Sequence, residues 1–234
     1  MDIKNKVTVI TGASQGIGKA TAELLAKEGA KLVLAARSID VLNIMAKELP
    51  EAIGVQTDMR KPEDINNLID QAIKKYGRVD ILINDAGQGM YGPVESIDME
   101  KYKEIMELNV YGVLRAMQAV IPIMKKQGGG MILNVSSRVS KNYFPALAAY
   151  ASTKYALNAL SLTARQELEK DKIIVSIFHP KMTATNFGKN SISQRPEMGN
   201  SRPGDRPAMQ VDTPEQVAEK IVEQIKSELP EAEM

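Results

Sequence analysis

A chain of 234 residues, 44% hydrophobic and 25% charged, is long enough for one large domain with a buried core. Its 30 basic and 29 acidic side chains leave a formal net charge of +1, which points to neither nucleic acid nor a strongly charged partner. The absence of cysteine excludes disulfides, thiolate metal sites and cysteine nucleophiles, and no histidine–acid cluster suggests a metal. No signal-like apolar region follows Met1, and no run approaches the ~18 apolar residues of a membrane span, so a soluble, cytoplasmic protein is expected.

Val7 to Ile10 is a β-branched, apolar run and predicts a buried strand. A glycine-rich turn follows, then a helix from Lys19 to Glu28 that Gly29 stops. Lys31–Ala36 predicts a second strand and Ala52–Thr57 a third, separated by a helix from Ser38 to Leu49 that Pro50 closes. Pro62 suits the first turn of the next helix, whose apolar stripe is Ile65, Leu68, Ile69, Ala72 and Ile73. Val79–Ile83 reads as a fourth strand, and a long helical region runs from about Met99 to Lys126. Met131–Val135 is a fifth strand, Ala148–Glu169 a helix and Ile173–Phe178 a sixth strand. Residues 186–212 then break the rhythm with prolines and glycines, as a functional lid or a disordered segment does. Thr213, Pro214 and Gln216 announce a capped final helix with Val217, Ile221 and Ile225 on its buried side. Alternating strands and helices, with apolar strands throughout, predict a parallel sheet covered on both faces.

Two stretches carry chemistry. Thr11-Gly12-Ala13-Ser14-Gln15-Gly16-Ile17-Gly18 lies between a strand and a helix, where glycines let the backbone approach a pyrophosphate and the helix N-terminus offers free N–H groups. The plainer reading is a tight turn without a ligand. Tyr150 and Lys154 stand four apart, on one face of a helix. A phenol is a poor proton carrier at neutral pH, and a nearby ammonium is expected to lower its pKa.

With Asn84-Asp85-Ala86-Gly87 after the fourth strand, Asn109 in a helix and Ser137 after the fifth strand, this set resembles the short-chain dehydrogenase/reductase family in its small single-domain branch. The resemblance extends from about Lys6 to Leu229. It implies an α/β, Rossmann-like doubly wound parallel sheet with strand order 3-2-1-4-5-6. A seventh strand, usual in such chains, is expected to be absent or vestigial, since only Pro230–Met234 follow the last helix. The chain reads as one dinucleotide-binding and catalytic domain, 1–234, with 186–212 as a substrate-loop insertion.

The resemblance also implies roles. Ser137, chosen over Ser136 by its spacing to Tyr150, polarises a substrate carbonyl, and Tyr150 gives or takes its proton. Lys154 holds the nicotinamide ribose and depresses the tyrosine pKa, and Asn109 holds a water that links Lys154 to solvent. Gly12, Ser14, Gln15, Gly16, Ile17 and Gly18 form the phosphate turn. Asp58 and Met59 contact adenine, Asn84, Ala86 and Gly87 line the adenine–ribose side, and Pro180, Thr183 and Thr185 fix the carboxamide. Ala36-Arg37 at the end of the second strand lacks the acid usual for NAD, and an arginine suits a 2′-phosphate, so NADP(H) is the expected cofactor. The partners implied are a small carbonyl or alcohol substrate and further copies of the chain, as a homodimer or homotetramer.

Plainer readings stand beside these: Ser137 as a loop serine, Asn109 as a helix kink, Arg37 as a solvated residue, His179 as a packed or loop residue. Asp85 and Lys181 depart from the family pattern, which usually has Asn and Gly there. The expected activity is NADP(H)-dependent carbonyl–alcohol interconversion. The alternatives are a catalytically silent NADP(H) sensor or interaction protein, and a 3-oxoacyl-carrier-protein reductase. An epimerase or dehydratase is disfavoured by chain length and glycine spacing. The substrate pocket is expected from residues 88–96, 138–148 and 186–212, with Tyr91, Tyr143, Phe144, Leu147 and Phe187 as apolar candidates. Arg195, Arg202 and Arg206 attract an anion or solubilise a lid.

Overall fold

A computed structural model describes residues 1–193 and 211–234. Its centre is a wholly parallel sheet of β1 (Val7–Thr11), β2 (Lys31–Ala36), β3 (Ala52–Gln56), β4 (Ile81–Asn84), β5 (Gly130–Val135), β6 (Ile173–His179) and β7 (Glu231–Glu233). The spatial order is β3-β2-β1-β4-β5-β6-β7. The expected six-strand order is therefore present. The seventh strand is present too: three residues long, it pairs Ile177 with Glu231 and His179 with Glu233. The few residues after Leu229 suffice because the last helix ends beside the sheet. There Glu228 turns the chain with φ 57, and Gln224 Nε2 donates to Leu229 O at 3.2 Å.

Side chains alternate across the pleat and so supply two cores. Ile10, Leu34, Ile83, Leu133 and Phe178 face α1 (Gly16–Lys27), α2 (Ile39–Glu48) and α7 (Pro214–Ser227). Val9, Val33, Leu82, Ile132 and Val175 face α3 (Pro62–Tyr76), α5 (Gly112–Gln127) and α6 (Ala148–Leu168). Helix ends follow local chemistry. Proline opens α3, acids occupy its first turn and lysines its last, and Gly77 closes it at φ 77. In α7, Thr213 and Gln216 form the expected capping box, with Thr213 N donating to Gln216 Oε1 at 2.9 Å.

The long helical region is not one α-helix. It comprises α4 (Met99–Met106), a π-helical segment (Glu107–Tyr111) and α5. One turn of i→i+5 bonding re-aims the side chains within it, and Asn109 lies there. Parallel register aligns Thr11 with Asn84 and Asn84 with Asn134. The carboxyl ends of β1, β4 and β5 therefore open together at the point where the strand order reverses, the crevice in which such sheets bind ligands.

Candidate active site

A cleft of about 1900 Å³ occupies that crevice. Of the residues expected to hold a cofactor, all line it except Gly18 and Asn84. Of the four expected to act in catalysis, Ser137, Tyr150 and Lys154 line it and Asn109 stands behind its wall.

The glycine-rich turn is built for close approach. Gly12 takes φ +74, and a Cβ there would lie 2.9 Å from Ala86 N. Gly16 takes φ +56 with Thr185 Cγ2 3.1 Å from its Cβ position. Gly18 serves packing rather than lining: its Cβ position is 2.6 Å from Gly12 O and 2.8 Å from Asp85 Oδ2. Helix α1 follows Gln15, which makes no side-chain capping bond, and has no acid in its first turn. Its N-terminal N–H groups and positive dipole end are therefore open to an anion. A glycine cradle and an uncapped helix start fit the diphosphate of a nicotinamide dinucleotide.

Thr11 joins this turn to the one after β4. Its Oγ1 accepts from Asp85 N and Ala86 N, each at 3.1 Å. Asn84 was expected on the adenine–ribose side, and the structure corrects this. At the end of β4 its side chain points into the layer beneath the sheet, 2% exposed, and donates to Asn134 Oδ1 at 2.8 Å. Asn134 in turn donates to Ser161 Oγ on α6 at 2.8 Å. Asp58 and Met59 do line the cleft, but both Asp58 oxygens are taken by Arg60, with Nη2 at 2.6 Å from Oδ2 and Nε at 2.9 Å from Oδ1. That pairing holds the Asp58 carboxyl below its ordinary value, with Arg37 adding a smaller pull. The carboxylate expected to meet adenine is thus already committed. Arg60 has no signal in its spacing and was missed. Arg37 stands exposed at the rim, and no side-chain partner holds its guanidinium among the described residues.

At the other end, α6 presents Tyr150 and Lys154 one turn apart. Lys154 Nζ donates to Val135 O at 2.8 Å and stands 6.0 Å from the Tyr150 ring centroid. Burial pulls the Lys154 ammonium down to about 8, and the Asp85 charge opposes this. Asp85 itself is pushed up to about 7 by burial, against Lys154 and the Gly18 N–H, which favour its ionised form. Near neutral pH the carboxyl is therefore divided between its two forms, and only the protonated one can donate a hydrogen bond. Tyr150 differs from expectation. Burial is the largest influence and raises the phenol, the hydrogen bond with Ser137 lowers it, and Tyr91 and Asp85 raise it further. Lys154 is not among the groups that move it, so the expected depression is not found.

Asn109 is fully buried in the π-helical segment. Its Oδ1 accepts from Gln88 N at 3.0 Å, and its Nδ2 donates to Gln88 O at 2.9 Å and Thr153 Oγ1 at 3.1 Å. Both amide hydrogens are used, so the side chain clamps the turn after Gly87. Gly87 lies between them, its Cβ position 3.2 Å from Asn109 Oδ1 and 3.8 Å from Lys154 Nζ.

Substrate-pocket expectations are met in part. Gln88, Tyr91, Val139, Phe144 and Leu147 line the cleft with residues 186–190. Residues 186–193 are not structureless. They hydrogen-bond to the strip 88–91 through Gln88 Nε2 to Asn190 O at 2.8 Å, Tyr91 N to Ser193 Oγ at 2.8 Å and Ile192 N to Gly89 O at 2.9 Å. This brings the Phe187 ring to 5.6 Å from that of Tyr150, tilted 54°. Tyr143 is 88% exposed and stacks on Tyr155 outside the cleft. Lys181 lines the cleft. Arg195, Arg202 and Arg206 lie outside the described residues. His179 ends β6 fully buried, with burial and Lys141 lowering its pKa. No cluster of metal-ligating side chains occurs among the described residues, and no described helix is long and apolar enough to cross a membrane.

The sequence profile described as short chain dehydrogenase matches residues 6–196. An uncharacterized oxidoreductase of Staphylococcus saprophyticus is 42% identical over 190 residues, 80% of this chain and 77% of that protein. Among solved structures, an alcohol dehydrogenase of the archaeon Thermococcus sibiricus, complexed with 5-hydroxy-NADP, superimposes with a TM-score of 0.84 at 31% identity, covering 99% of this chain and 96% of that one. The 3-ketoacyl-(acyl-carrier-protein) reductase of Brucella melitensis, complexed with NADH, does so with a TM-score of 0.88 at 28% identity, covering 99% and 97%. A parallel sheet in this order, a glycine cradle at its switch point and a Ser–Tyr–Lys set beyond it agree with those matches, and the chain belongs to the short-chain dehydrogenase family of oxidoreductases.

Proposed function

We propose that the protein interconverts a small carbonyl compound and its alcohol by hydride transfer with NADP(H), with Tyr150 as the proton donor and acceptor. The observation that carries this reading is that Ser137, Tyr150 and Lys154 line one cleft, with the Ser137 hydroxyl near enough to favour the phenolate of Tyr150 and Lys154 one turn behind on the same helix. When bound, the nicotinamide supplies or accepts the hydride.

The protein's own groups do the rest. Ser137 Oγ and the Tyr150 hydroxyl together receive the substrate oxygen, and the charge that develops on it is met by fixed donors. Burial keeps the Tyr150 phenol neutral, so it stands ready to give its proton to an oxygen gaining charge, which suits carbonyl reduction. Lys154, protonated at neutral pH, adds positive charge behind the phenol and presents its ammonium to the ribose side of the site. Phe187 covers Tyr150 and restricts access to it. NADP(H) is favoured over NAD(H) because Arg60 neutralises Asp58, the acid nearest the adenosine end, while Arg37 has no side-chain partner among the described residues. Ala86, Gly87, Pro180, Thr183 and Thr185 complete the walls along the cofactor. A cytoplasmic homo-oligomer of single-domain subunits is the accompanying proposal.

The test is NADPH oxidation across a panel of carbonyl compounds, with wild type beside Tyr150→Phe. Turnover by wild type, abolished in the variant while NADPH fluorescence titration is unchanged, supports the reading. NADPH binding without turnover on any compound would make the protein a cofactor sensor instead, and retained turnover by Tyr150→Phe would overturn the role of the phenol.

A further inference from the structure

Behind the cleft, one side chain ties the serine turn to the tyrosine helix. Ser137 opens a turn of 3₁₀ helix, Arg138–Ser140, at the exit of β5. The turn is closed by Ser140, whose Oγ donates to Ser137 O at 2.6 Å and whose N donates to the same oxygen at 3.0 Å. Ser140 is 3% exposed and its hydroxyl proton is used in this bond, which leaves its Oγ to accept, with Ser136 Oγ 3.3 Å and His179 Nδ1 3.4 Å away. Asn158 donates to Ser140 Oγ through Nδ2 at 2.9 Å. Its Oδ1 accepts from Ser136 Oγ at 2.6 Å. A single carboxamide therefore spans the residues on either side of Ser137, using a donor for one and an acceptor for the other.

Asn158 belongs to α6, one turn past Lys154 and two past Tyr150, on the same stripe of the helix. It does not line the cleft. Lys154 makes the parallel tie one turn earlier, to Val135 O. Two successive turns of α6 are thus fastened to the exit of β5. The relation between Ser137 and Tyr150, which come from different elements, depends on this fastening more than on either element alone. A geometric error of about 1 Å between groups that share one reacting atom costs on the order of 10²-fold in rate.

We infer that Asn158 is a positioning residue, which holds Ser137 in register with Tyr150 by bridging Ser136 and Ser140. This rests on the proposed reading of Ser137 and Tyr150 as the pair that receives the substrate oxygen. Asn158→Ala removes both bonds. Asn158→Asp keeps the shape, but an ionised carboxylate cannot donate, so Ser140 must turn its proton away from Ser137 O.

The experiment is a double-mutant cycle between Asn158→Ala and Ser137→Ala, read as kcat for a carbonyl substrate, with NADPH affinity by fluorescence and a thermal melt on each protein. Asn158→Ala is expected to lower kcat roughly 10–100-fold, with KM and NADPH affinity within about twofold, and Asn158→Asp to behave alike. In the Ser137→Ala background the same change is expected to cost less than about threefold, because no serine hydroxyl remains to be positioned. Ser140→Ala, which cuts the same relay, carries the cycle if Asn158→Ala does not fold. Equal losses in both backgrounds, or a single variant as fast as wild type, would overturn the inference while leaving the reaction intact. An inactive wild type, or a Ser137→Ala as fast as wild type, would remove the underlying reading itself.

Discussion

Replacing Asp85 with asparagine removes a carboxyl that burial pushes from 3.8 to about 7. Between those values the folded protein holds a proton that the unfolded chain has lost. Wild-type stability should therefore fall as pH rises through that window and level off above it. At about 1.4 kcal/mol per tenfold, the ionised form costs the fold on the order of 4 kcal/mol. Lys154 acts oppositely. Its ammonium, ordinarily at 10.5, is pulled to about 8, so between those values the unfolded chain holds the extra proton and stability rises with pH. Cofactor-free wild type should pass through a local minimum between the two windows, near neutral to slightly alkaline pH. In Asp85→Asn the falling limb disappears. Lys154, deprived of the charge that holds its proton on, starts its rising limb at lower pH. The assay is urea denaturation of both proteins at constant ionic strength from about pH 4.5 to pH 8. The variant should gain roughly 2–4 kcal/mol on wild type across that range. A difference that stays constant with pH would refute the placement of a desolvated acid beside Lys154.

Arg37→Ala should weaken NADPH binding roughly 10–100-fold, the loss expected for one charge-assisted hydrogen-bonding group, and leave NADH within about twofold; paired fluorescence titrations check this, and a wild type that prefers NADH would remove the NADP(H) assignment. Gly89→Ala places a methyl group 2.7 Å from Ser191 Oγ and 3.0 Å from Phe187 Cε1. It should displace the segment that carries Phe187 and raise KM for the carbonyl substrate roughly tenfold, with cofactor affinity kept; steady-state kinetics showing an unchanged KM would mean that Phe187 does not bear on the substrate.

Much of the site was legible because its chemistry depends on local spacing. A Tyr and a Lys four apart on any helix share a face, and glycines between a strand and a helix form a cradle whatever surrounds them. The expected Thr213–Gln216 capping box is likewise a local matter, and it forms. Other readings turned on partners that no spacing rule announces. Asn84 reads like its neighbours Ala86 and Gly87, yet the pleat sends it inward to Asn134, 50 residues away. Asp58 lies at the expected place and pairs with Arg60, only two residues on, and Asn109 directs its amide to Gln88 and Thr153.

The resemblance to the short-chain dehydrogenase/reductase family singled out Ser137; composition, periodicity and motif order by themselves determined the alternating α/β architecture, the glycine-rich turn between strand and helix, and the shared face of Tyr150 and Lys154. These follow from patterns that repeat within a turn or two of chain, where backbone geometry alone decides which side chains are neighbours. Only the tertiary structure decided the protonation of the site and the bracing behind it. Burial, not a nearby ammonium, governs Tyr150. A short seventh strand pairs with β6 although only a few residues follow the last helix. Asn158 reaches the serine turn from another element. Desolvation and long-range hydrogen bonds depend on which segments the fold stacks together, and no local pattern in the sequence encodes that.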